Sequence, residues 1–270
     1  MKITSKTKIS MVIGDPIEHS LSPQLHNAGY EALQIDDQYV YVACRVGIKQ
    51  IADFINGVRA MSIRGVSCTI PHKVAVMQYL DEIDEIAHAI GAVNTIVNED
   101  GKLIGYNTDW LGIINPLEKI IDLKNKTVAL LGAGGAARAV AYGVTKKGAK
   151  LLIFNRTFEN AEKLAREFGG IAYSQDALIK TKTADIIINT TSVGLINKNE
   201  TPLPKEFIQK NQIVFDAIYG KSETQLISDA KEKGAITISG VEMLLHQGLE
   251  QFKLFTKHNA PEEAMRKALI

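Results

Sequence analysis

A glycine-rich turn is the segment whose residue types and spacing most directly indicate a bound ligand. An apolar run precedes it, a helical pattern follows it, and it satisfies the G-x-G-x-x-G/A spacing of dinucleotide-binding turns. The first glycine allows a tight turn, the second lets the backbone approach a pyrophosphate, and the small last residue lets helix and strand pack closely. The helix N-terminus then offers free N–H groups to phosphate. We therefore predict a dinucleotide site at Gly132, Ala133, Gly134, Gly135 and Ala136, with Ala137 in the last place.

The end of the next predicted strand indicates which dinucleotide binds. An NAD site usually carries an acidic residue about 20 residues beyond the turn, where it holds the ribose 2′-hydroxyl. This chain has the neutral Asn155 there, followed by Arg156 and Thr157. A guanidinium suits a 2′-phosphate by charge and by stacking on adenine, and the threonine adds a hydroxyl donor. The missing acid and the adjacent arginine together favour NADP over NAD.

A third polar segment follows a later apolar run. Thr190, Thr191 and Ser192 lie where a parallel strand would end, which is the edge at which ligands bind in this topology. We predict that these small polar residues contact the ribose next to the nicotinamide.

The elements that must position these residues follow from hydrophobic periodicity. Runs of β type alternate with helical spacing along the chain, which is typical of α/β architecture. In the first part we predict strands over 9–13, 39–44, 66–70, 93–97 and 103–106. Helices are predicted from Ser22, read as an N-cap before Pro23, to 33, over 48–61, and from Pro71 onward.

The second part reads as a Rossmann-type, doubly wound parallel sheet. Residues 127–132 form a continuous apolar run of the kind buried on both faces. Further strands are predicted over 150–154, 185–189, 213–216 and 235–238, and helices from the glycine turn to 147, over 158–168 and over 222–233. The helical segment 241–255 has no strand to follow and is expected to return to the first part. The predicted domains are residues 1–108 with 240–270, and residues 109–239.

The composition argues against several classes of partner, so a small molecule is the expected ligand. Lys and Arg total 31 against 30 for Asp and Glu, so neither nucleic acid nor an anionic membrane is expected. No apolar run is long enough to span a bilayer, no signal peptide is evident, and the six histidines lack metal-ligand spacing. Two cysteines, Cys44 and Cys68, favour reduced thiols and a cytoplasmic location, with a disulfide between them as the alternative. The chain is expected to be a monomer or a homodimer.

Several segments taken together resemble the shikimate dehydrogenase family. The resemblance runs from about residue 9 to about residue 255, in order and with fitting spacing. It is carried by Gly14-Asp15-Pro16-Ile17-Glu18-His19-Ser20-Leu21-Ser22-Pro23-Gln24-Leu25-His26-Asn27, Gly65-Val66-Ser67-Cys68-Thr69-Ile70-Pro71-His72-Lys73, Gly91-Ala92-Val93-Asn94-Thr95, Gly105-Tyr106-Asn107-Thr108-Asp109 and Met243-Leu244-Leu245-His246-Gln247. It implies NADPH-dependent reduction of 3-dehydroshikimate to shikimate, with residues 1–108 and 240–270 as the substrate-binding and catalytic domain and residues 109–239 as the NADP domain.

The resemblance also assigns roles to residues. Ser20 and Ser22 would hold the substrate carboxylate, and Tyr219 would close over it. Met243 would contact the nicotinamide ring, and Gly240 would belong to the cofactor site. Ring hydroxyls would meet Thr69, Asn94, Asp109 and Gln247, with Ser67 beside them. Lys73 and Asp109 would handle the proton, because an ammonium can donate to a developing alkoxide and a carboxylate can orient it.

One position departs from the family's usual pattern. Ser67 stands where most bacterial members have asparagine, and in this it is similar to plant bifunctional enzymes and to some quinate/shikimate relatives. Serine lacks the amide that both donates and accepts. A quinate or dual quinate/shikimate dehydrogenase is therefore an alternative, and a non-catalytic nucleotide-sensing paralogue is a second. A folate-type dehydrogenase is not supported by the Ser20 and Ser22 region.

Overall fold

The computed structural model describes residues 3–197, 199–220 and 222–269, and its contacts divide them into two units. Unit 1 comprises the residues up to Thr108 together with those from Leu245 onward, and unit 2 is Asp109–Leu244. The chain is predicted to return to the first domain at residue 240, whereas the observed division falls after Leu244, inside a long helix.

Unit 1 is built on a six-stranded mixed sheet. Its strands are β1 (Lys8–Gly14), β2 (Tyr39–Arg45), β3 (Gly65–Cys68), β4 (Glu82–Ile83), β5 (Thr95–Glu99) and β6 (Lys102–Tyr106). The order is β2-β1-β3-β5-β6-β4, and β5 runs antiparallel to both of its neighbours. Asp100 and Gly101 turn β5 into β6 with φ of 53° and 94°, the positive values that a tight hairpin requires.

Four helices of unit 1 precede the division. These are α1 (Ser22–Ala32), α2 (Ile51–Ala60), α3 (His72–Ala75) and α4 (Glu85–Ile90), with 3₁₀ turns over Ile48–Gln50 and Val76–Tyr79. The predicted N-cap at Ser22 is wrong. Leu21 is the N-cap residue, and Ser22 is the first residue of α1, followed by Pro23 in the first turn. The single helix predicted over 48–61 is a 3₁₀ turn followed by α2, which ends at Ala60.

Unit 2 contains a six-stranded sheet whose strand pairs are all parallel. Its elements are α5 (Asp109–Glu118), β7 (Thr127–Leu131), α6 (Gly135–Lys146), β8 (Lys150–Asn155), α7 (Phe158–Phe168), β9 (Ile171–Ser174), β10 (Ile186–Asn189), β11 (Ile213–Asp216), α8 (Gln225–Glu232) and β12 (Ile236–Ile238), with 3₁₀ segments at Gln175–Thr183 and Lys205–Phe207. The order β12-β11-β10-β7-β8-β9 confirms the predicted doubly wound sheet.

The core of unit 2 lies on both faces of this sheet. Val128 and Leu130 of β7 pack with α6 on one face, whereas Ala129 and Leu131 belong to the cluster on the other face. Alternation of this kind follows from the two-residue period of a strand, and burial on both faces explains the uninterrupted apolar runs.

The last helices complete unit 1. Helix α9 (Gly240–Thr256) begins in unit 2 and continues into unit 1, and α10 (Glu262–Lys267) follows it. Phe252 and Phe255 of α9 pack with His26, Tyr30 and Tyr41 in an aromatic cluster. Return of the C-terminal helices to the first unit was expected, because no strand follows them.

Candidate functional site

The glycine turn joins β7 to α6 at the carboxyl edge of the parallel sheet. Gly132 has a φ of +108°, which side chains rarely adopt, and a Cβ there would lie 2.8 Å from Thr190 Oγ1. Ala137, in the last place of the motif, is fully buried between helix and sheet. The first and last small residues are therefore required by the fold itself.

Gly134 differs from Gly132 in its surroundings. It is the N-cap of α6, with an ordinary φ of −90°, and a Cβ built on it has no heavy atom within 4 Å. No side chain caps the helix, and its first turn contains no acidic residue. The turn thus has open space beside uncapped N–H groups, which is an arrangement that fits a pyrophosphate.

The end of β8 offers groups for a 2′-phosphate. Asn155 Nδ2 donates to the backbone oxygen of Thr157 at 2.8 Å, which fixes the bend after the strand. Arg156 is exposed, and its guanidinium has no ion pair or hydrogen bond within the described ranges. Thr157 is the N-cap residue of α7, but its hydroxyl makes no capping bond. These donors remain available to a ligand.

The segment after β10 lies against the glycine turn. Thr190 Oγ1 donates to Leu131 O at 2.9 Å, and Asn189 Oδ1 accepts from both the N–H and the hydroxyl of Thr191, at 2.9 and 2.8 Å. Ser192 is exposed at the end of this segment. The structure therefore brings the predicted residues of β7 and β10 to one edge of the sheet.

The start of α9 packs on the segment that follows β11. A Cβ at Gly240 would lie 2.5 Å from Ala217 O and 2.6 Å from Ile218 O, so only glycine fits there. Met243 is buried in the core cluster of unit 2, and Tyr219 is half-buried. The close packing gives Gly240 a structural role besides its predicted place in the cofactor site.

On unit 1, the loop after β1 carries the serine pair. Ser22 N donates to Ser20 Oγ at 3.3 Å, and the buried Ser22 hydroxyl has no partner among the residues that the structure describes. An ion pair of 2.7 Å between Arg45 and Asp15 ties this loop to the end of β2. Backbone N–H groups of Glu18 itself and of Ile17 lower the pKa of Glu18.

Ser67 lies at the centre of a buried hydrogen-bond network. Tyr41 OH donates to Ser67 Oγ at 2.6 Å, and Ser67 Oγ donates to Gln251 Oε1 at 2.8 Å. Gln251 Nε2 donates to Thr95 Oγ1 at 2.8 Å, which turns its oxygen toward Ser67. Gln251 of α9 thus supplies an amide next to the position where the family's usual pattern has asparagine.

Asn94 continues this network toward the other predicted substrate residues. Its Oδ1 accepts from Thr95 Oγ1 and from Thr108 N, each at 2.8 Å, and its Nδ2 donates to Thr108 Oγ1 at 2.9 Å and faces Gln247 Oε1 at 3.5 Å. Ser67, Asn94 and Gln247 are therefore members of one buried polar cluster, which the structure assembles from three distant segments.

Thr69 and Lys73 follow β3, and Asp109 opens α5. Thr69 N donates to Ile13 O at 3.0 Å, and its hydroxyl has no partner among the described residues. Lys73 is half-buried in α3, and its backbone oxygen accepts from Val93 N at 2.7 Å. Asp109 is buried and is the first residue of unit 2.

The aromatic cluster beneath this network has a strong effect on one titratable group. His26 is fully buried and stacks on Tyr41, with ring centroids 4.2 Å apart. Burial lowers the pKa of His26 to about 3, and the Gln251 side chain opposes this only in part. His26 is therefore neutral at physiological pH.

The remaining predictions concern metals, membranes and cysteines. Across the described ranges, no group of three or more His, Cys, Asp or Glu residues could hold a metal, and no helix is long and apolar enough to cross a bilayer. Both cysteines are free. Cys44 and Cys68 lie on either side of Ile13, on strands separated by β1, which is too far apart for a disulfide.

Sequence analysis assigned no role to several members of these clusters, namely Tyr41, Thr95, Thr108, Asn189 and Gln251. One of them carried a usable signal. Gln251 follows Gln247 by four residues, so both lie on one face of a helix. The others are polar residues in strands, turns or caps, and their partners come from distant parts of the chain.

Three family models match the chain in succession. They are the shikimate dehydrogenase substrate binding domain over residues 12–96, shikimate/quinate 5-dehydrogenase over residues 116–217, and the shikimate 5′-dehydrogenase C-terminal domain over residues 240–270. The first lies within unit 1, the second within unit 2, and the third covers the C-terminal helices.

Individual proteins match over nearly the whole chain. A shikimate dehydrogenase (NADP(+)) of Nitrosopumilus maritimus is 42% identical over 97% of this chain and 98% of its own length. The bifunctional 3-dehydroquinate dehydratase/shikimate dehydrogenase of Arabidopsis thaliana is 41% identical over 97% of this chain, which spans 46% of that protein. The crystal structure of Thermus thermophilus shikimate 5-dehydrogenase with NADP(H) and shikimate superposes with a TM-score of 0.90 at 35% identity, covering 97% of this chain and 98% of that one. The chain therefore belongs to the shikimate dehydrogenase family.

Proposed function

We propose that this chain is an NADP-dependent oxidoreductase that reduces the ring ketone of 3-dehydroshikimate to shikimate, a reaction of aromatic amino acid (chorismate) biosynthesis. The observation that carries the proposal is similarity over nearly the full length, through both units, to a protein solved with NADP(H) and shikimate together. The two clusters of unpaired donors, at the glycine turn and around the serine pair, support it.

The cofactor is assigned to unit 2. The uncapped N–H groups of α6 beside Gly134 would take the pyrophosphate, and Arg156 with Thr157 would take the 2′-phosphate. Thr190, Thr191 and Ser192 would contact the ribose by the nicotinamide, with Met243 against the ring. When bound there, NADPH would supply the hydride for the carbonyl carbon.

The substrate is assigned chiefly to unit 1. The free hydroxyls of Ser22 and Thr69 suit a carboxylate and a ring hydroxyl respectively, and Ser20 would join Ser22 at the carboxylate. Asn94, Gln247 and Ser67 would bind the remaining hydroxyls. Tyr219 of unit 2 would close over the carboxylate.

Lys73 and Asp109 are proposed to carry the proton chemistry. The Lys73 ammonium would donate a proton to the oxygen that becomes an alkoxide as the carbon accepts hydride, and Asp109 would orient that ammonium. Lys73 belongs to unit 1, and Asp109 is the first residue of unit 2.

A spectrophotometric assay tests this function. Shikimate and quinate are each combined with NADP⁺ and NAD⁺, and formation of reduced nicotinamide is followed by its absorbance. We expect shikimate with NADP⁺ to give the highest kcat/KM. Lys73→Ala should lower kcat by roughly 10²- to 10⁴-fold with NADP⁺ binding intact, and Lys102→Ala, at an exposed lysine of unit 1, should not. Wild-type turnover in Lys73→Ala would overturn the catalytic assignment.

A dual quinate/shikimate dehydrogenase is the second candidate. Ser67 favours it, because a serine replaces the usual asparagine beside the substrate hydroxyls. Comparable kcat/KM for quinate and shikimate in the same assay would establish it. We also propose that the chain acts on small molecules in the cytoplasm. We propose a monomer or a homodimer, and light scattering after size-exclusion chromatography would distinguish the two.

A further inference from the structure

Asp216 is a buried carboxylate that the proposed chemistry does not use. It ends β11 with no exposed surface, at the same sheet edge as the glycine turn. Its Oδ1 accepts from Asn189 Nδ2 at 2.9 Å and from Ile218 N at 3.1 Å, and its Oδ2 accepts from Thr224 Oγ1 at 2.5 Å. Burial of a charge is tolerated where several donors surround it in this way.

The first donor leads to the cofactor segment. Because Asn189 gives its Nδ2 to Asp216, its Oδ1 is turned toward Thr191 and accepts from both the N–H and the hydroxyl of that residue. Thr191 Cγ2 in turn would lie 3.3 Å from a Cβ at Gly132. The orientation of the Asn189 amide therefore sets the Thr191 hydroxyl beside the glycine turn.

The other two donors lead to the segment that carries Tyr219. The bond to Ile218 N fixes the backbone just before Tyr219, and Ala217 N donates to Asn189 O at 2.9 Å. Thr224 is the N-cap residue of α8, so its bond to Asp216 ties the beginning of that helix to the same carboxylate. The Asp216 side chain thus connects the segment after β10 with the Tyr219 segment and with the start of α8.

We propose that Asp216 is a positioning residue for both ligands of the proposed dehydrogenase. Through Asn189 its carboxylate sets Thr191 for the cofactor, and through Ile218 N it sets the Tyr219 segment for the substrate. This inference rests on the proposed function, since it assigns a purpose to the ligand positions named there.

An amide cannot replace the carboxylate of Asp216. In Asp216→Asn, if the amide oxygen kept the bonds to Asn189 and Ile218, the new NH₂ would face Thr224 Oγ1, whose proton would lose its acceptor. If the amide were flipped, its NH₂ would face the Asn189 NH₂ and the Ile218 N–H. The substitution therefore preserves size and shape, but it either leaves Thr224 without its acceptor or, with the amide flipped, disturbs both connections to the ligand segments.

The experiment compares wild type, Asp216→Asn and Asp229→Asn. Asp229 is the matched control, because it is a buried carboxylate of α8 that accepts from Gln225 Nε2 at 2.8 Å away from the sheet edge. NADP⁺ affinity is measured by calorimetry without substrate, and kcat and KM are measured with shikimate. We expect Asp216→Asn to weaken NADP⁺ binding and raise the KM for shikimate, each by roughly 10- to 100-fold, the range for a hydrogen bond to a charged group. Asp229→Asn should change neither.

A double-mutant cycle separates positioning from general destabilisation. If Asp216 acts through Thr191, its effect on NADP⁺ affinity should shrink to less than half in a Thr191→Val background, yet remain whole in an Arg156→Ala background. Equal effects in both backgrounds, or wild-type NADP⁺ affinity in Asp216→Asn, would overturn the inference.

A second pair of variants covers failure of Asp216→Asn to fold. Thr224→Val removes a donor to Asp216 at similar volume, and Thr224→Ser keeps it. Because Thr224 lies on the Tyr219 side of Asp216, we expect a raised KM for shikimate in the valine variant and a KM near that of wild type in the serine variant. No difference in KM between the two variants would refute the proposal. If the wild type itself neither binds NADP⁺ nor oxidises shikimate, the proposed function fails. If it does both and Asp216→Asn does too, only this inference fails.

Discussion

Replacing Gln251 by leucine tests how the substrate side of unit 1 is organised. Gln251 is 1% exposed, and its oxygen receives the only proton of the Ser67 hydroxyl. Ser67 Oγ also accepts from Tyr41 OH, so its one free lone pair can only accept a proton from a substrate hydroxyl. Without Gln251 the Ser67 proton has no fixed direction.

The structure sets the size of the expected effects. In Gln251→Leu the Ser67 donor and the Thr95 hydroxyl each lose a partner, whereas Asn94 O still accepts from Cys68 N at 2.7 Å. Leaving such groups unpaired costs about 1–3 kcal/mol each, so for the two groups we expect the free energy of unfolding to fall by about 2–6 kcal/mol. Loss of one oriented neutral hydrogen bond to substrate should lower kcat/KM by roughly 2- to 12-fold.

The assay follows shikimate oxidation with NADP⁺ and chemical denaturation in parallel. The effect should fall on KM, with kcat within about twofold, because Ser67 binds ground state and transition state alike. Gln212→Leu is the matched control, since Gln212 is a buried glutamine of unit 2 that donates to Thr181 O and Ala184 O, both at 2.8 Å. It should lose similar stability without a change in KM.

A Ser67→Ala background identifies the route of the effect. If Gln251 acts through the Ser67 hydroxyl, Gln251→Leu should raise KM no further once that hydroxyl is absent. An unchanged KM in Gln251→Leu, or full additivity of the two substitutions, would refute the reasoning.

Three further outcomes are expected. Gly134→Ala should leave the free energy of unfolding within about 0.5 kcal/mol of wild type but weaken NADP⁺ binding at least about tenfold, because its Cβ meets no protein atom and would occupy the space assigned to pyrophosphate; unchanged binding by calorimetry would argue against that assignment. Arg156→Ala should raise the KM for NADPH about tenfold or more and leave that for NADH nearly unchanged, so equal losses would exclude a 2′-phosphate role. The depressed pKa of His26, about 3 when folded against 6.5 for the free group, means that the unfolded chain takes up a proton first as pH falls. The free energy of unfolding should therefore fall as the pH drops from 6.5 to 3, by at most about 5 kcal/mol. His26→Phe should remove that part of the pH dependence, which chemical denaturation at a series of pH values measures.

Buried parallel strands and amphipathic helices could be predicted from the sequence. Phe158–Phe168 and Ile213–Asp216 match the structure at both ends, and β7, β8 and β10 match within one residue. The reason is that a strand covered on both faces must be apolar throughout, and the glycine turn marks where β7 gives way to a helix.

Several short or exposed elements were not predicted, namely β4, α4 and β9. Strand β9 lies at the edge of its sheet with Ile171 54% exposed, so it lacks the apolar signal of the central strands. Leu21 rather than Ser22 is the N-cap residue of α1, because Leu21 O accepts the first helical hydrogen bond, from Leu25 N. The N–H of Ser22 is bonded to Ser20 Oγ instead. Local preference alone does not decide such details.

The residue types of the two sites, and the elements that carry them, could be predicted from local patterns in the chain. Local rules of turn geometry, helix dipole and strand burial act within a few residues, so the glycine turn and the Asn155-Arg156-Thr157 bend could be read directly. The side chains that orient the site residues could not be predicted in this way, because they come from distant parts of the folded chain. Ser67 meets Tyr41 across 26 residues and Gln251 across 184, and Asp216 meets Asn189 across 27. Such bonds exist only after strands and helices have packed, because their distance and direction depend on atoms far apart in the chain.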